Sequence, residues 1–163
     1  MTTETVSPRY LGLDAWTTGD ALEAMAEAQM TAAAAVRQAV PMIAAAVEAA
    51  AERLRQGQGR ILYVGAGTSG RIAVQDGVEL TPTFDWPPER LSFLLAGGTP
   101  ALLRSIEGAE DDAAAGEGAI DQAAAGPDDV AVALAASGAT PYTVAALARA
   151  RDRGALAIGV ANN

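Results

Sequence analysis

The chain has 163 residues, half of them hydrophobic, which is enough for one domain with a buried core. Its 20 acidic and 11 basic residues give a net charge of −9, which argues against binding to nucleic acid or to an anionic membrane surface. Cysteine, histidine and lysine are absent, which excludes disulfides, thiolate or lysine nucleophiles and a histidine base. Acid–base chemistry must therefore depend mainly on carboxylates, with tyrosine or water as the remaining groups that could transfer a proton.

Residues 1–56 are predicted to form an N-terminal arm followed by helices. The first 16 residues include Pro8 and Gly12 and no apolar core, so we expect an extended arm and no signal peptide. The Ala-rich sequence that follows predicts one helix to about Gln29 and a second over residues 31–55, kinked or restarted at Pro41. Because charged residues and Pro41 interrupt the apolar pattern, we expect no membrane span and a cytoplasmic protein.

Residues 57–163 alternate between apolar runs and helical patterns, which predicts a parallel α/β sheet with flanking helices. The Pro-rich segment 81–88 is predicted to be an ordered, irregular loop. Such sheets bind ligands at the carboxyl ends of their strands. The predicted strands cover residues 61–64, 91–95, 130–134 and 155–161, and the predicted helices cover 71–78, 100–107, a stretch ending near 125, and 140–153.

Two loops rich in glycine and hydroxyl side chains follow the first and third predicted strands. They are GAGTSG, residues 65–70, and SGATP, residues 137–141. Each leads into a helix, whose unpaired N–H groups attract anions, most often phosphate. A tight turn without a ligand is the alternative for either loop, since GAGTSG matches neither GxGxxG nor the P-loop pattern. Two such loops at one edge of a sheet favour a phosphate site.

Two glutamates follow these elements in predicted loops. Glu79 comes after the first helix, and Glu110 lies in the acidic segment 107–112. Acidic residues in loops are commonly no more than solvated. With no histidine, cysteine or lysine to compete, however, two carboxylates could supply one base and one acid. The spacing alone leaves both interpretations open.

Four ordered motifs resemble the N-acetylmuramic acid 6-phosphate etherases, which have the SIS (sugar isomerase) fold, a flavodoxin-like parallel sheet. They are GAGTSGR, VELTPTF, AGG followed by EGAEDD, and AASGATPY, while SPR and LDAWTT resemble the family's N-terminal arm. The resemblance implies cleavage of the lactyl ether of N-acetylmuramic acid 6-phosphate, giving N-acetylglucosamine 6-phosphate and D-lactate in cell-wall recycling. It also implies a homodimer with sites near the subunit interface, and no metal or organic cofactor.

The resemblance assigns roles residue by residue. Glu79 matches the family's glutamate that protonates the departing lactate, and Glu110 matches the glutamate that moves the C2 proton or activates water. In the ring-opened sugar the C1 aldehyde acidifies that proton, the ether then leaves from C3, and water adds back. Sugar-phosphate binding is assigned to Gly67, Thr68, Ser69, Gly70, Ser137, Gly138 and Thr140.

The sequence also departs from the family. Val78, Leu80 and Thr81 stand where serine, cysteine and proline are common, and Ala139 stands where arginine is common. Family members continue through a further strand, a Ser-Thr-Arg-Met-Lys-Ala-Gly-Thr motif and a C-terminal helical region. We therefore expect residues 57–163 to form an incomplete SIS-type domain, lacking the last strand or strands, with weak or no activity alone.

Two other functions remain open from the sequence. A non-catalytic sugar-phosphate sensor of the same fold would need the phosphate site but not both glutamates. An aldose–ketose isomerase would share the fold, although the EGAED and PTF segments fit the etherases better.

Overall fold

The structure is a computed structural model that describes residues 5–162. The described residues form a parallel four-stranded sheet of order β2-β1-β3-β4, which confirms the predicted α/β class. Each strand lies within one residue of its predicted ends. The strands are β1 (Ile61–Gly65), β2 (Leu91–Leu95), β3 (Val130–Leu134) and β4 (Leu156–Val160), and the helices are α1 (Thr18–Gln56), α2 (Gly67–Val78), α3 (Leu80–Phe84), α4 (Ala113–Gln122) and α5 (Pro141–Asp152).

The N-terminal region differs from its prediction in two respects. The arm contains 3-10 turns at Pro8–Tyr10 and Leu13–Ala15, so it is not fully extended, and its first four residues lie outside the described range. The two predicted helices are one helix, α1, with Pro41 in its interior. Proline removes one intrahelical hydrogen bond, and the surrounding alanines have the highest helix propensity, so the helix continues through it.

The chain divides into two compact units within α1, one ending at Glu48 and the other beginning at Ala49. The predicted division into an N-terminal region, residues 1–56, and an SIS-type domain, residues 57–163, stays a prediction. By length and composition alone, Thr18–Arg55 could cross a bilayer, since an 18-residue window has a mean hydropathy of 1.4. Core helices of soluble proteins and N-terminal signal sequences also meet this criterion, so it decides nothing about the membrane.

The register of the sheet aligns the carboxyl ends of its strands. Gly65 at the end of β1 pairs with Leu95 of β2 on one side and with Leu134 of β3 on the other. Leu134 pairs in turn with Val160, the last residue of β4. The loops that follow β1, β2 and β3 therefore begin at one edge of the sheet, where parallel sheets bind ligands.

Small side chains dominate the core of the unit that contains the sheet. Leu62, Val64 and Ile120 are fully buried beside a large set of alanines. Close packing of α4 on α5 depends on Gly116, because a Cβ there would lie 2.2 Å from the carbonyl oxygen of Tyr142. The Ala-rich composition thus produces closely spaced helices and supplies a core despite the few aromatic residues.

Candidate active site

The first turn of α2 begins directly after β1, four residues earlier than predicted. Gly67 has φ +53°, a left-handed conformation that glycine adopts readily. A Cβ on Gly70 would lie 2.9 Å from the carbonyl oxygen of Gly65, so the helix approaches the strand too closely for alanine. Thr68 is exposed and Ser69 half-buried within this turn. Ala66 precedes it without a side-chain cap, which leaves helix N–H groups for an anion.

A cavity of about 340 Å³ lies beside this turn. Its walls come from the start of α2 and from the segment that follows β2, so it sits between the carboxyl ends of β1 and β2. Hydroxyls, one guanidinium and two carboxylates line it together. Its polar side chains are Thr68, Arg71, Ser105, Glu107 and Glu110, and the backbone of Gly67 also contributes.

Glu110 enters the cavity from an irregular segment. The helix predicted over residues 100–107 is wrong, because the segment forms short 3-10 turns at Thr99–Leu102 and Ala109–Asp111. Gly108 precedes the second turn with φ +72°, a left-handed conformation that glycine adopts readily. The turn packs against α5, and the Glu110 side chain stays exposed. An exposed carboxylate at a cavity mouth can exchange protons with a bound ligand or with water.

Glu79 lies at the opposite end of α2 from this cavity. It is the residue that ends the helix, its backbone N–H donates to the carbonyls of Asp76 and Gly77, and its side chain is exposed. At about 1.5 Å per residue, the eleven positions between Thr68 and Glu79 correspond to roughly 16 Å along the axis. The structure therefore does not bring Glu79 and Glu110 together within one chain. The irregular loop predicted next to Glu79 is wrong in part, since Leu80–Phe84 is helical.

The second hydroxyl-rich loop lies on the other side of β1, after β3. Thr140 occupies the predicted N-cap position of α5 and Pro141 its first turn, although the Thr140 side chain makes no capping hydrogen bond. Gly138 has φ +70°, and the Ser137 hydroxyl accepts from the N–H of Ala139 at 3.2 Å. Ser137, Gly138 and Thr140 do not line the cavity that contains Glu110. Their predicted role in sugar-phosphate binding stays a prediction.

The sequence did not single out three polar residues of the cavity. Arg71 follows GAGTSG directly and is the only basic residue of α2, while Ser105 and Glu107 belong to the segment predicted as a helix. The position of Arg71 after the motif is a signal that sequence reasoning could have used. Ser105 and Glu107 depend on the irregular path of their segment, which carries no sequence pattern of its own.

A larger cavity, about 630 Å³, lies within the N-terminal unit and contains none of the predicted site residues. It is wide open, and three of its charged residues are already engaged: Arg9 pairs with Glu27, and Asp20 accepts from the Thr17 hydroxyl. Over residues 5–162, no group of three or more acidic side chains is arranged to hold a metal ion. The smaller cavity therefore brings together residues of the predicted phosphate loop and the predicted catalytic Glu110.

The family model for the N-terminal SIS domain of the glucokinase regulatory protein matches residues 42–151. The chain belongs to this SIS-domain family. The match includes β1, β2, β3 and all but the last residue of α5, and hence every predicted site residue. In fold, the SIS domain is similar to a phosphoheptose isomerase from Francisella tularensis, with a TM-score of 0.67 at 20% identity over 90% of this chain and 76% of that one.

Curated relatives of this SIS-domain chain carry the name N-acetylmuramic acid 6-phosphate etherase. The protein from Deinococcus radiodurans is 51% identical over 161 residues, which is 99% of this chain and 52% of the relative. Those from Rubrobacter xylanophilus and Salmonella typhi are 46% and 42% identical over 163 residues, all of this chain and 54% of each relative. The chain thus spans about half the length of the curated relatives it matches.

Proposed function

We propose that this SIS-domain chain carries the sugar-phosphate and carboxylate residues of an N-acetylmuramic acid 6-phosphate etherase. The observation that supports this most directly is the cavity in which Thr68 and the uncapped start of α2 face Glu110. An anion site next to a carboxylate is what proton transfer on a sugar phosphate requires. The similarity to etherases over the whole chain points to the same chemistry.

In the proposed reaction a carboxylate of the protein removes the C2 proton of the ring-opened sugar. The electron pair of that bond forms a C2–C3 double bond while the C3–oxygen bond to lactate breaks. The leaving oxygen takes a proton from a second carboxylic acid, and water then adds to C3 while a proton returns to C2. Glu110 is the proposed proton carrier at C2, and Glu79 the acid for the departing lactate.

Because Glu79 lies at the far end of α2, we propose that it acts in the cavity of a second copy of the chain. A two-fold dimer can place the end of α2 from one copy over the cavity of the other. Each site would then contain Glu110 and Thr68 of one copy and Glu79 of its partner. We also propose a cytoplasmic location and chemistry without a metal or organic cofactor, since the two carboxylates suffice for the proton transfers.

The first experiment measures D-lactate release from N-acetylmuramic acid 6-phosphate by this chain, Glu79→Gln and Glu110→Gln. Each substitution removes a titratable group at nearly constant volume and should lower the rate by at least about 100-fold. The matched control is Asp111→Asn, which changes the neighbouring carboxylate of the same turn and should retain the rate.

Two results would change the assignment. Saturable binding of the sugar phosphate without lactate release would indicate either a sugar-phosphate sensor of the SIS fold or an incomplete enzyme. Neither binding nor release would reject the cavity as the site. Because the relatives are about twice as long, the activity of the 163-residue chain is expected to be weak.

A further inference from the structure

Arg71 connects α2 to the segment that forms the opposite wall of the cavity. Its Nε donates to the carbonyl oxygen of Ala101 at 2.9 Å, and one Nη donates to that of Arg104 at 3.4 Å. The side chain is half-buried and lines the cavity together with Thr68 and Glu110. A single side chain therefore bridges the two walls.

The segment Thr99–Gly108 has few other connections to the fold. Its backbone hydrogen bonds are local, such as those from the N–H groups of Leu103 and Arg104 to the carbonyl of Pro100. Among the described residues, the two bonds from Arg71 are those that join this segment to another helix or strand. Ala101 is buried and Leu102 and Ile106 are half-buried, whereas Leu103 is 95% exposed, so packing of the segment is limited to a few of its side chains.

The acceptors of Arg71 determine what the side chain can do. Both are backbone carbonyls, and over residues 5–162 no carboxylate lies within ion-pair distance of its guanidinium. The planar fork of arginine can donate in two directions at once, whereas a lysine ammonium lacks that geometry. The contact thus depends on the shape of the guanidinium and not on charge pairing.

We propose that Arg71 is a positioning residue: its fork holds Thr99–Gly108 against α2, and so fixes Glu110, two residues further along, at the cavity. The link to catalysis rests on the proposed function, but whether the Arg71 guanidinium holds the segment can be tested without measuring activity. Losing the fork should free the segment and displace Glu110, while the Glu110 carboxylate and the predicted phosphate-binding residues of the α2 turn stay unchanged in the chain.

The test compares Arg71→Gln and Arg71→Lys with the unchanged chain by amide hydrogen exchange. We expect the amides of Ala101, Leu103, Arg104 and Ala109 to exchange roughly tenfold faster in both variants, while those of β1 and β3 keep their rates. The control is Arg104→Gln, which removes an equal charge nearby but leaves the carbonyl that Arg71 contacts, and should exchange like the unchanged chain. The proposal would be overturned if the amides of this segment exchanged at the rates of the unchanged chain in either Arg71→Gln or Arg71→Lys.

Steady-state lactate release supplies a second measurement. A positioning role predicts that Arg71→Gln lowers kcat by about tenfold or more, with KM within about threefold, because the group that transfers the proton is displaced. A raised KM with unchanged kcat would make Arg71 a direct substrate ligand and overturn the positioning role. If the unchanged chain neither binds the sugar phosphate nor releases lactate, the proposed function fails, and hydrogen exchange still decides whether the fork holds the segment.

Discussion

The carboxylate of Asp129 holds Arg60 where β1 and β3 begin, at the edge of the sheet opposite the cavity. One oxygen accepts from the backbone N–H of Arg60 at 2.8 Å, and the other accepts from its guanidinium at 2.8 Å. Arg60 also donates to the carbonyl of Ala123 at 2.9 Å, and the N–H of Gly126 donates to Asp129 at 3.1 Å. Asp129 is 6% exposed and the Arg60 side chain 28% exposed, so the carboxylate is largely removed from water while the guanidinium is partly exposed.

Replacing Asp129 by asparagine should destabilise the fold strongly. The change leaves the Arg60 guanidinium without its counter-charge in a partly buried position, a loss of about 3 kcal/mol in unfolding free energy. Urea unfolding followed by circular dichroism measures it. The exposed neighbour Asp128 provides the control, since Asp128→Asn should change the free energy by no more than about 0.5 kcal/mol. Equal losses in the two variants would contradict this account of the pair.

The same pair predicts how stability depends on acid. Burial acts to raise the pKa of Asp129, but the hydrogen bonds from Arg60 and Gly126 outweigh it and hold the pKa below its usual value. An unfolded aspartate titrates near pH 3.9, so the unfolded state binds the proton first. The contribution of Asp129 is therefore present above about pH 4 and is lost as the pH falls further. Unfolding free energies measured between pH 6 and about pH 3 should fall less steeply in Asp129→Asn.

The pKa of Tyr63 predicts a loss of folding stability at high pH. Burial, helped by the nearby Asp76, raises the pKa of Tyr63 to about 12. An unfolded tyrosine titrates near pH 10, so the unfolded state loses its proton first and the folded state is weakened as the pH rises from about 10 to 12. Tyr63→Phe should reduce this alkaline loss, measured by unfolding across that range. An equal alkaline loss in Tyr63→Phe and in the unchanged chain would contradict this account.

The sheet and the boundaries of α5 could be read from the sequence because their signals are local. Short apolar runs define the four strands, and Thr140 followed by Pro141 marks the start of α5. The predicted start of α2 is too late because Gly67 and Gly70 lower helix propensity, whereas the left-handed φ of Gly67 and the close packing of Gly70 on β1 both favour glycine there. Local preference and the requirement for close packing conflict at this point, as they often do at functional sites.

The arrangement of the candidate site was less accessible to sequence reasoning. Glu110 was identified through the resemblance of the EGAEDD segment to the etherases, since the chain has 20 acidic residues and spacing alone left its role open. Its separation from Glu79 depends on the direction of α2. The contact between Arg71 and the carbonyl of Ala101 involves a backbone acceptor, which no residue type reveals. Backbone acceptors in irregular segments become visible only when the chain path is known.

The two glycines of α4 predict opposite effects of the same substitution. A Cβ on Gly116 would lie 2.2 Å from the carbonyl oxygen of Tyr142, so Gly116→Ala must separate α4 from α5 and should cost at least about 2 kcal/mol. Gly118 has only the flexible end of Gln122 at 4.0 Å, so Gly118→Ala should stabilise the helix by about 0.5–1 kcal/mol. Thermal unfolding of both variants measures the difference. A loss at Gly118 would show that α4 is not packed as described.

The separation of Glu79 from Glu110 predicts complementation between inactive variants. If a site combines Glu110 of one copy with Glu79 of a second, a dimer of Glu79→Gln with Glu110→Gln contains one site with both glutamates intact. Random mixing makes about half of all dimers mixed, each with one of its two sites restored, so lactate release should recover to about a quarter of the unchanged rate. The measurement mixes the two variants after partial unfolding and refolding, at constant total protein.

The control for complementation is the chain with both substitutions, mixed with either single variant. Those mixtures contain no site with both glutamates, so their rates should stay at the level of the single variants. If Glu79 instead acted in the cavity of its own chain, mixing the two single variants would restore nothing, because every cavity would lack one glutamate. Recovery in the first mixture and none in the second would therefore place Glu79 in the site of the neighbouring copy.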